Sequence, residues 1–146
     1  MKRFSQIVCI ILVAATLFCM TASAAELADT RASNFFTYSS VYFWHASGNN
    51  YQIWFDVTAV SPMSELGVSE IKVKRSTDEV NWQTVATYYK SSYPQMTTKT
   101  GTVGYANYVP FTATSGYSYY AEVTLYAKNS SGTGEMIEYT EILDLR

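Results

Sequence analysis

The stretch YSYYAEVTLYAK, residues 117–128, decides the fold. Tyr117, Tyr119, Ala121, Val123, Leu125 and Ala127 share one parity. Ser118, Tyr120, Glu122, Thr124, Tyr126 and Lys128 share the other. Successive side chains of a strand point to opposite faces, so this period of two predicts a strand with one face buried and one wet. The same rhythm recurs upstream. In residues 51–60, Tyr51, Ile53, Phe55 and Val57 alternate with Gln52, Trp54, Asp56 and Thr58; in residues 70–75, Ile71 and Val73 alternate with Lys72 and Lys74. Further strands are expected at 35–46, 81–89, 102–112 and 135–143. Pro110 lacks an N–H and marks an edge or a bulge. Turns are expected at Ser47-Gly48-Asn49-Asn50, at Ser61-Pro62 with Gly67, and at Ser76-Thr77-Asp78. Polar loops are expected at 90–99, which contains Pro94, and at 129–134.

Seven short strands with turn signals between them predict an all-β chain, a single seven-stranded antiparallel β-sandwich of the immunoglobulin/fibronectin type III kind. Composition agrees. The 146 residues include 13 Tyr, 7 Phe and 3 Trp, types that favour pleated surfaces. The chain is too short for a (β/α)₈ barrel. With 10 Lys+Arg against 12 Asp+Glu it has no basic excess to release counterions from phosphates, which excludes nucleic acid as an electrostatic partner.

Residues 1–24 read as a secretory signal peptide. Lys2 and Arg3 precede an uncharged apolar run at 7–20, and Ala22-Ser23-Ala24 supplies small residues for cleavage near Ala24. The apolar run is shorter than the ~20 residues a spanning helix needs. Cleavage would leave 122 residues with eight Lys+Arg against twelve Asp+Glu, a formal charge of −4. It would also remove Cys9 and Cys19, the two cysteines. The expected product is a secreted, extracellular, cysteine-free chain with no integral membrane segment. Residues 25–33 are expected to be a flexible lead-in and 34–146 the β-sandwich.

Two resemblances follow from these residues. Ser115-Gly116-Tyr117-Ser118-Tyr119, followed by Ala121, Val123, Leu125, Ala127 and Asn129…Gly132, resembles the F strand and F–G loop of fibronectin type III domains, with Ser115 where that family has proline. The resemblance implies that the Tyr119 hydroxyl bonds backbone upstream as a tyrosine corner. In order along the chain, Arg31-Ala32-Ser33, Ile53-x-Phe55-x-Val57, Met63…Leu66-Gly67, Tyr93…Met96 and Gly116…Tyr119-x-Ala121-x-Val123-Thr124-x-Tyr126-Ala127 resemble a group of small secreted proteins of Clostridia and relatives without an assigned function. That resemblance implies a secreted bacterial β-sandwich and supplies no catalytic residue.

Catalytic chemistry finds little to stand on. His45 is the single histidine, and no Gly-x-Ser-x-Gly elbow accompanies it. Glycoside hydrolysis needs a carboxylate pair, and most of the twelve acids fall in turns or at outward strand positions without an evident pair. No metal or cofactor is expected. Ser76-x-Asp78…Trp82 resembles one Asp box of a sialidase propeller, but a single copy reads as a hairpin turn in which Asp78 accepts backbone N–H bonds. Asn129-Ser130-Ser131 fits a glycosylation acceptor only in a eukaryotic secretory pathway.

The aromatics are the best pointer to function. Trp54, Tyr120 and Tyr126 share parity with polar residues, so they are expected to face outward and are the candidate ligand-contact residues, on two separate patches. The expectation is a non-enzymatic binding module for an extracellular protein or glycan. A carbohydrate-binding module and a self-assembling structural protein are the alternatives.

Overall fold

The computed structural model describes residues 34–146. The signal segment 1–24 and the lead-in 25–33 lie outside the described residues. Nine strands run in chain order: β1 (Phe36–Ser47), β2 (Asn50–Met63), β3 (Glu65–Ser76), β4 (Gln83–Tyr89), β5 (Thr97–Thr98), β6 (Thr102–Thr112), β7 (Ser118–Asn129), β8 (Gly132–Tyr139) and β9 (Leu143–Asp144). They form two antiparallel sheets, one ordered β1-β2-β6 and the other β4-β3-β7-β8, with β5 added to β3 and β9 to β7.

The period of two sets the core. Ile53, Phe55 and Val57 of β2 meet Ile71 and Val73 of β3 and Tyr119, Ala121, Val123 and Leu125 of β7 in one cluster, each 1% exposed or less. The Tyr119 hydroxyl is tied within it, donating to the Thr114 carbonyl at 3.0 Å and accepting from the Thr114 N–H at 2.9 Å. Burying a tyrosine ring requires such partners for its hydroxyl.

Several boundaries differ from those the sequence predicts. There are nine strands among the described residues rather than seven, because two-residue pieces at 97–98 and 143–144 pair with β3 and β7. Ser61-Pro62 does not end β2. Pairing with β6 jumps from Thr58 to Met63, so Pro62 lies where that ladder has no rung. Gly67 lies inside β3 at φ +146°, and a Cβ there would stand 2.1 Å from the Met96 carbonyl oxygen. It marks a close approach rather than a turn. The polar 90–99 segment is anchored by a 3₁₀ turn, Pro94–Met96, whose Met96 is fully buried. The loop at 129–134 contracts to Ser130-Ser131, since Asn129 already pairs with Gly132. Pro110 does sit on an edge strand, β6.

Candidate functional site

Strand register assembles an aromatic row that no single strand contains. On the outer side of the first sheet, Tyr42 of β1 stands opposite Trp54 of β2, and Trp54 stands opposite Tyr108 of β6. The Tyr42 and Trp54 rings are parallel to within 5°, with centroids 6.5 Å apart. Trp54 and Tyr108 lie 5.0 Å apart at 35°. Trp44 sits one rung away, opposite Gln52, which faces Pro110 in turn. Trp44 is 57% exposed, Tyr42 41% and Tyr108 36%. On the other flank the next rung is small, Ser40–Asp56–Ala106, and the one after it, Tyr38–Thr58–Gly104, carries Tyr38, 54% exposed. A Cβ added at Gly104 would meet open space, so nothing shields the row from that side.

The chemistry of this face is uniform. β1, β2 and β6 carry one carboxylate, Asp56, one imidazole, His45, and no lysine or arginine. Trp54 donates its indole N–H to Gln52 Oε1 at 2.8 Å, which fixes the indole and directs the amide nitrogen of Gln52 elsewhere. Thr112 and Asn50 are joined at 3.0 Å two rungs beyond. Rings with hydrogen-bonding groups beside them, and no cation, make a surface that attracts apolar faces without selecting anions. His45 is held at the hairpin end, Nε2 2.9 Å from the Gly48 carbonyl and its ring tilted on Tyr51.

Tyr120 and Tyr126 lie on the opposite outer face, on β7. Six residues separate them, roughly 20 Å along a strand, so they form no common platform. Tyr120 packs edge-on against Trp82 at 4.6 Å and near Tyr139 at 6.3 Å, and its hydroxyl reaches Glu122 Oε1 at 3.3 Å. Burial, and then the Glu122 carboxylate, push that hydroxyl above its ordinary pKa. The Tyr126 ring is covered by Lys90, whose ammonium stands 3.3 Å over its centroid and also pairs with Glu65 at 3.2 Å. As ligand contacts, both rings therefore have neighbours to displace first. This face is charged and internally paired. Lys72 bonds Glu70 at 2.7 Å, which holds the Lys72 ammonium above its ordinary pKa, and Lys74 lies 3.6 Å from Glu122.

Reading the strands singly missed Tyr42, Trp44 and Tyr108. β1 carries aromatics on both parities, and a register shift between Phe36 and Tyr38 changes which parity is outer. The alternation on β6 is weak, interrupted by Gly104 and Pro110. The signal that finds these residues is the pairing of strands, which a single strand's pattern does not hold.

The Ser76–Asn81 turn is as the sequence predicts. Asp78 accepts from the Val80 and Asn81 N–H groups at 2.9 and 2.8 Å, and Trp82 donates to the Glu79 carbonyl at 3.1 Å. Asn81, then Ser76, hold its carboxyl well below the usual carboxylate range. Among the described residues no three His, Cys, Asp or Glu side chains converge as a metal-binding group. Among them, too, no helix is long and apolar enough to cross a membrane.

No protein-family model matches the chain, and no curated protein matches it in sequence. Solved structures share only distant likeness. The sporulation control protein Spo0M from Bacillus subtilis aligns at 10% identity and a TM-score of 0.38, over 70% of this chain and 48% of its own. OgpA from Akkermansia muciniphila aligns at 10% identity and 0.40, over 78% and 31%. R. palustris CsgH aligns at 12% identity and 0.34, over 73% and 92%. The chain thus spans less than half of Spo0M and about a third of OgpA. Likeness at these scores carries no argument about activity.

Proposed function

We propose that this chain is a secreted, non-enzymatic binding module whose ligand docks on the open face of β1, β2 and β6. The observation that carries the reading is the Tyr42–Trp54–Tyr108 row, flanked by Trp44 and free of cations. Exposed apolar patches of this kind cost solubility, and a monomer keeps them where they contact something. The sandwich is of the fibronectin type III kind. The order β1-β2-β6 against β4-β3-β7-β8 and the Tyr119–Thr114 bonds support that assignment. Residues 1–24 support export.

Catalysis is a poor alternative because most of the acidic side chains and the histidine are already engaged. Glu70, Glu122 and Glu65 pair with Lys72, Lys74 and Lys90, Asp78 braces a turn, and His45 contacts a turn carbonyl. The test is retention on microcrystalline cellulose, chitin and purified peptidoglycan. Wild type is expected to stay on at least one matrix and the Trp54→Ala/Tyr108→Ala double variant to wash off. Equal retention of the two would put the contact elsewhere and overturn the reading.

A second reading, self-assembly, has one observation in its favour. β1 is a twelve-residue edge strand without Lys, Arg, Asp, Glu or Pro, the devices that normally discourage edge pairing. A groove of about 350 Å³ lined by Ser40–Phe43 and Glu141–Leu143 runs beside it. Sedimentation across a concentration series separates the two readings, since a binding module stays monomeric without ligand.

A further inference from the structure

We infer that the ligand of the aromatic face is a neutral polysaccharide, laid across the strands along the line Tyr42–Trp54–Tyr108. The inference rests on the binding-module reading above and adds the chemical class of ligand and the direction in which it lies.

Charge comes first. An acidic polymer brings a carboxylate or sulfate at nearly every unit, and binding it requires cations to replace the lost water. The three strands of this sheet supply no lysine or arginine, and the outer face presents Asp56, which repels anions, one rung from the row. A cationic polymer would need more than that single carboxylate. A ligand without charge is the complement of this surface.

Shape comes second. The row is an open surface rather than a pocket, and the groove at its side belongs to the β1 edge. A small molecule gains little on an open surface, whereas a polymer gains by repetition, each unit bringing its next neighbour to high effective concentration. Adjacent strands lie about 4.8 Å apart, so residues directly opposite one another bring their rings onto one line. Here the centroid steps are uneven, 6.5 and 5.0 Å, with the first two rings stacked and the third tilted. The C–H face of a pyranose carries partial positive charge and fits the negative face of an aromatic ring. The 35° tilt at Tyr108 suits a chain that twists as it advances.

Hydrogen bonding comes third, and it favours a sugar over a protein. A protein hot spot is a dry, closely packed centre with polar groups pushed to its rim. This row instead has the Gln52 amide bonded to its central ring and Ser40 and Asp56 on the neighbouring rung. Polar groups along both sides of the ring row match a glycan whose apolar face lies on the rings and whose hydroxyl edges reach outward.

The test is affinity electrophoresis of the full chain in native gels. The gels contain neutral polymers (hydroxyethyl cellulose, xylan, mannan, dextran) or acidic ones (alginate, polygalacturonate, heparin). Retardation is expected in at least one neutral gel, unchanged between 0.05 and 0.5 M salt. Trp54→Ala is expected to weaken it at least tenfold, Trp54→Phe to restore part of it, and Tyr120→Ala on the other face to leave it intact. Unfolding midpoints of each variant separate lost contact from lost fold. Retardation confined to acidic gels, and dependent on Trp54, would overturn the neutral class while leaving the binding face in place. Retardation that ignores Trp54 would overturn both. No retardation in any neutral gel, together with no retention on cellulose or chitin, would overturn this inference alone, and Trp54-dependent retention on peptidoglycan would still uphold the broader reading.

Discussion

The two outer faces of the molecule are built from the same kind of strand and end up as opposite surfaces. On β4-β3-β7-β8 the two outward tyrosines of the central strand β7 are partnered, Tyr120 by Trp82 and Tyr139 and Tyr126 by Lys90, while Tyr89 and Tyr139 themselves stay half exposed or more. Charges there close on one another, Lys72 with Glu70 and Lys74 with Glu122. On β1-β2-β6 Tyr42, Trp54 and Tyr108 partner one another, and Trp44 and Tyr38 on the same face stand more than half exposed. The lesson is that an outward aromatic is informative by its neighbours rather than by its exposure. A ring capped by a lysine is surface finish. A ring beside two more rings on adjacent strands, with no charge to close over it, is what the proposed binding face rests on.

That contrast can be broken at the shared core. Leu125→Ala removes a fully buried side chain of the central strand and is expected to cost about 2–5 kcal/mol, read by urea unfolding. It should leave the affinity of the folded fraction for any ligand unchanged. If affinity falls with stability, the outer face is not an independent site. Tyr119→Phe deletes the hydroxyl that both donates to and accepts from Thr114, with an expected loss of about 1–3 kcal/mol and no change in binding.

Smaller effects sharpen the contrast between the faces. Lys74→Ala opens one ion pair that is partly in water, at 3.6 Å, and should change stability by less than about 1 kcal/mol, with the difference fading in high salt. A larger effect would mean that the charged face helps hold the fold. The smallest signature is acid dependence at the Ser76–Asn81 turn. Asp78 is held well below its unfolded value of about 3.9 by Asn81 and Ser76, so its contribution is present above that value and disappears as pH falls through the folded one. Melting temperature should therefore drop below about pH 4, and Asp78→Asn should flatten that drop. An identical acid limb in both proteins would assign the dependence to other carboxylates, Asp144 first among them, held low by Arg146.

Much of this molecule is legible in the chain because alternation is local. The parity of residues 117–128 and of 51–60 alone names half of the buried hydrophobic positions. Pro110 announces an edge, and Ser76-x-Asp78 announces its turn. The predicted ligand contacts were read with the same rule, one strand at a time, and that rule placed Trp54, Tyr120 and Tyr126 outward. It could not rank them, because outward residues are sorted by what crosses from other strands. Lys90 reaches Tyr126 from beyond the end of β4, and Trp82 reaches Tyr120 from the turn before it.

Residue by residue, then, the chain determined an all-β fold, the inward faces of its main strands and the outward orientation of Trp54, since a period of two depends only on neighbours in sequence. The tertiary structure decided which rungs share a row. Trp54 meets Tyr108 across 54 positions of chain, and a slip of one residue would turn every ring of β6 to the other side. Register between distant strands is set by the whole core packing at once. The aromatic row exists only once β1, β2 and β6 have paired in that register.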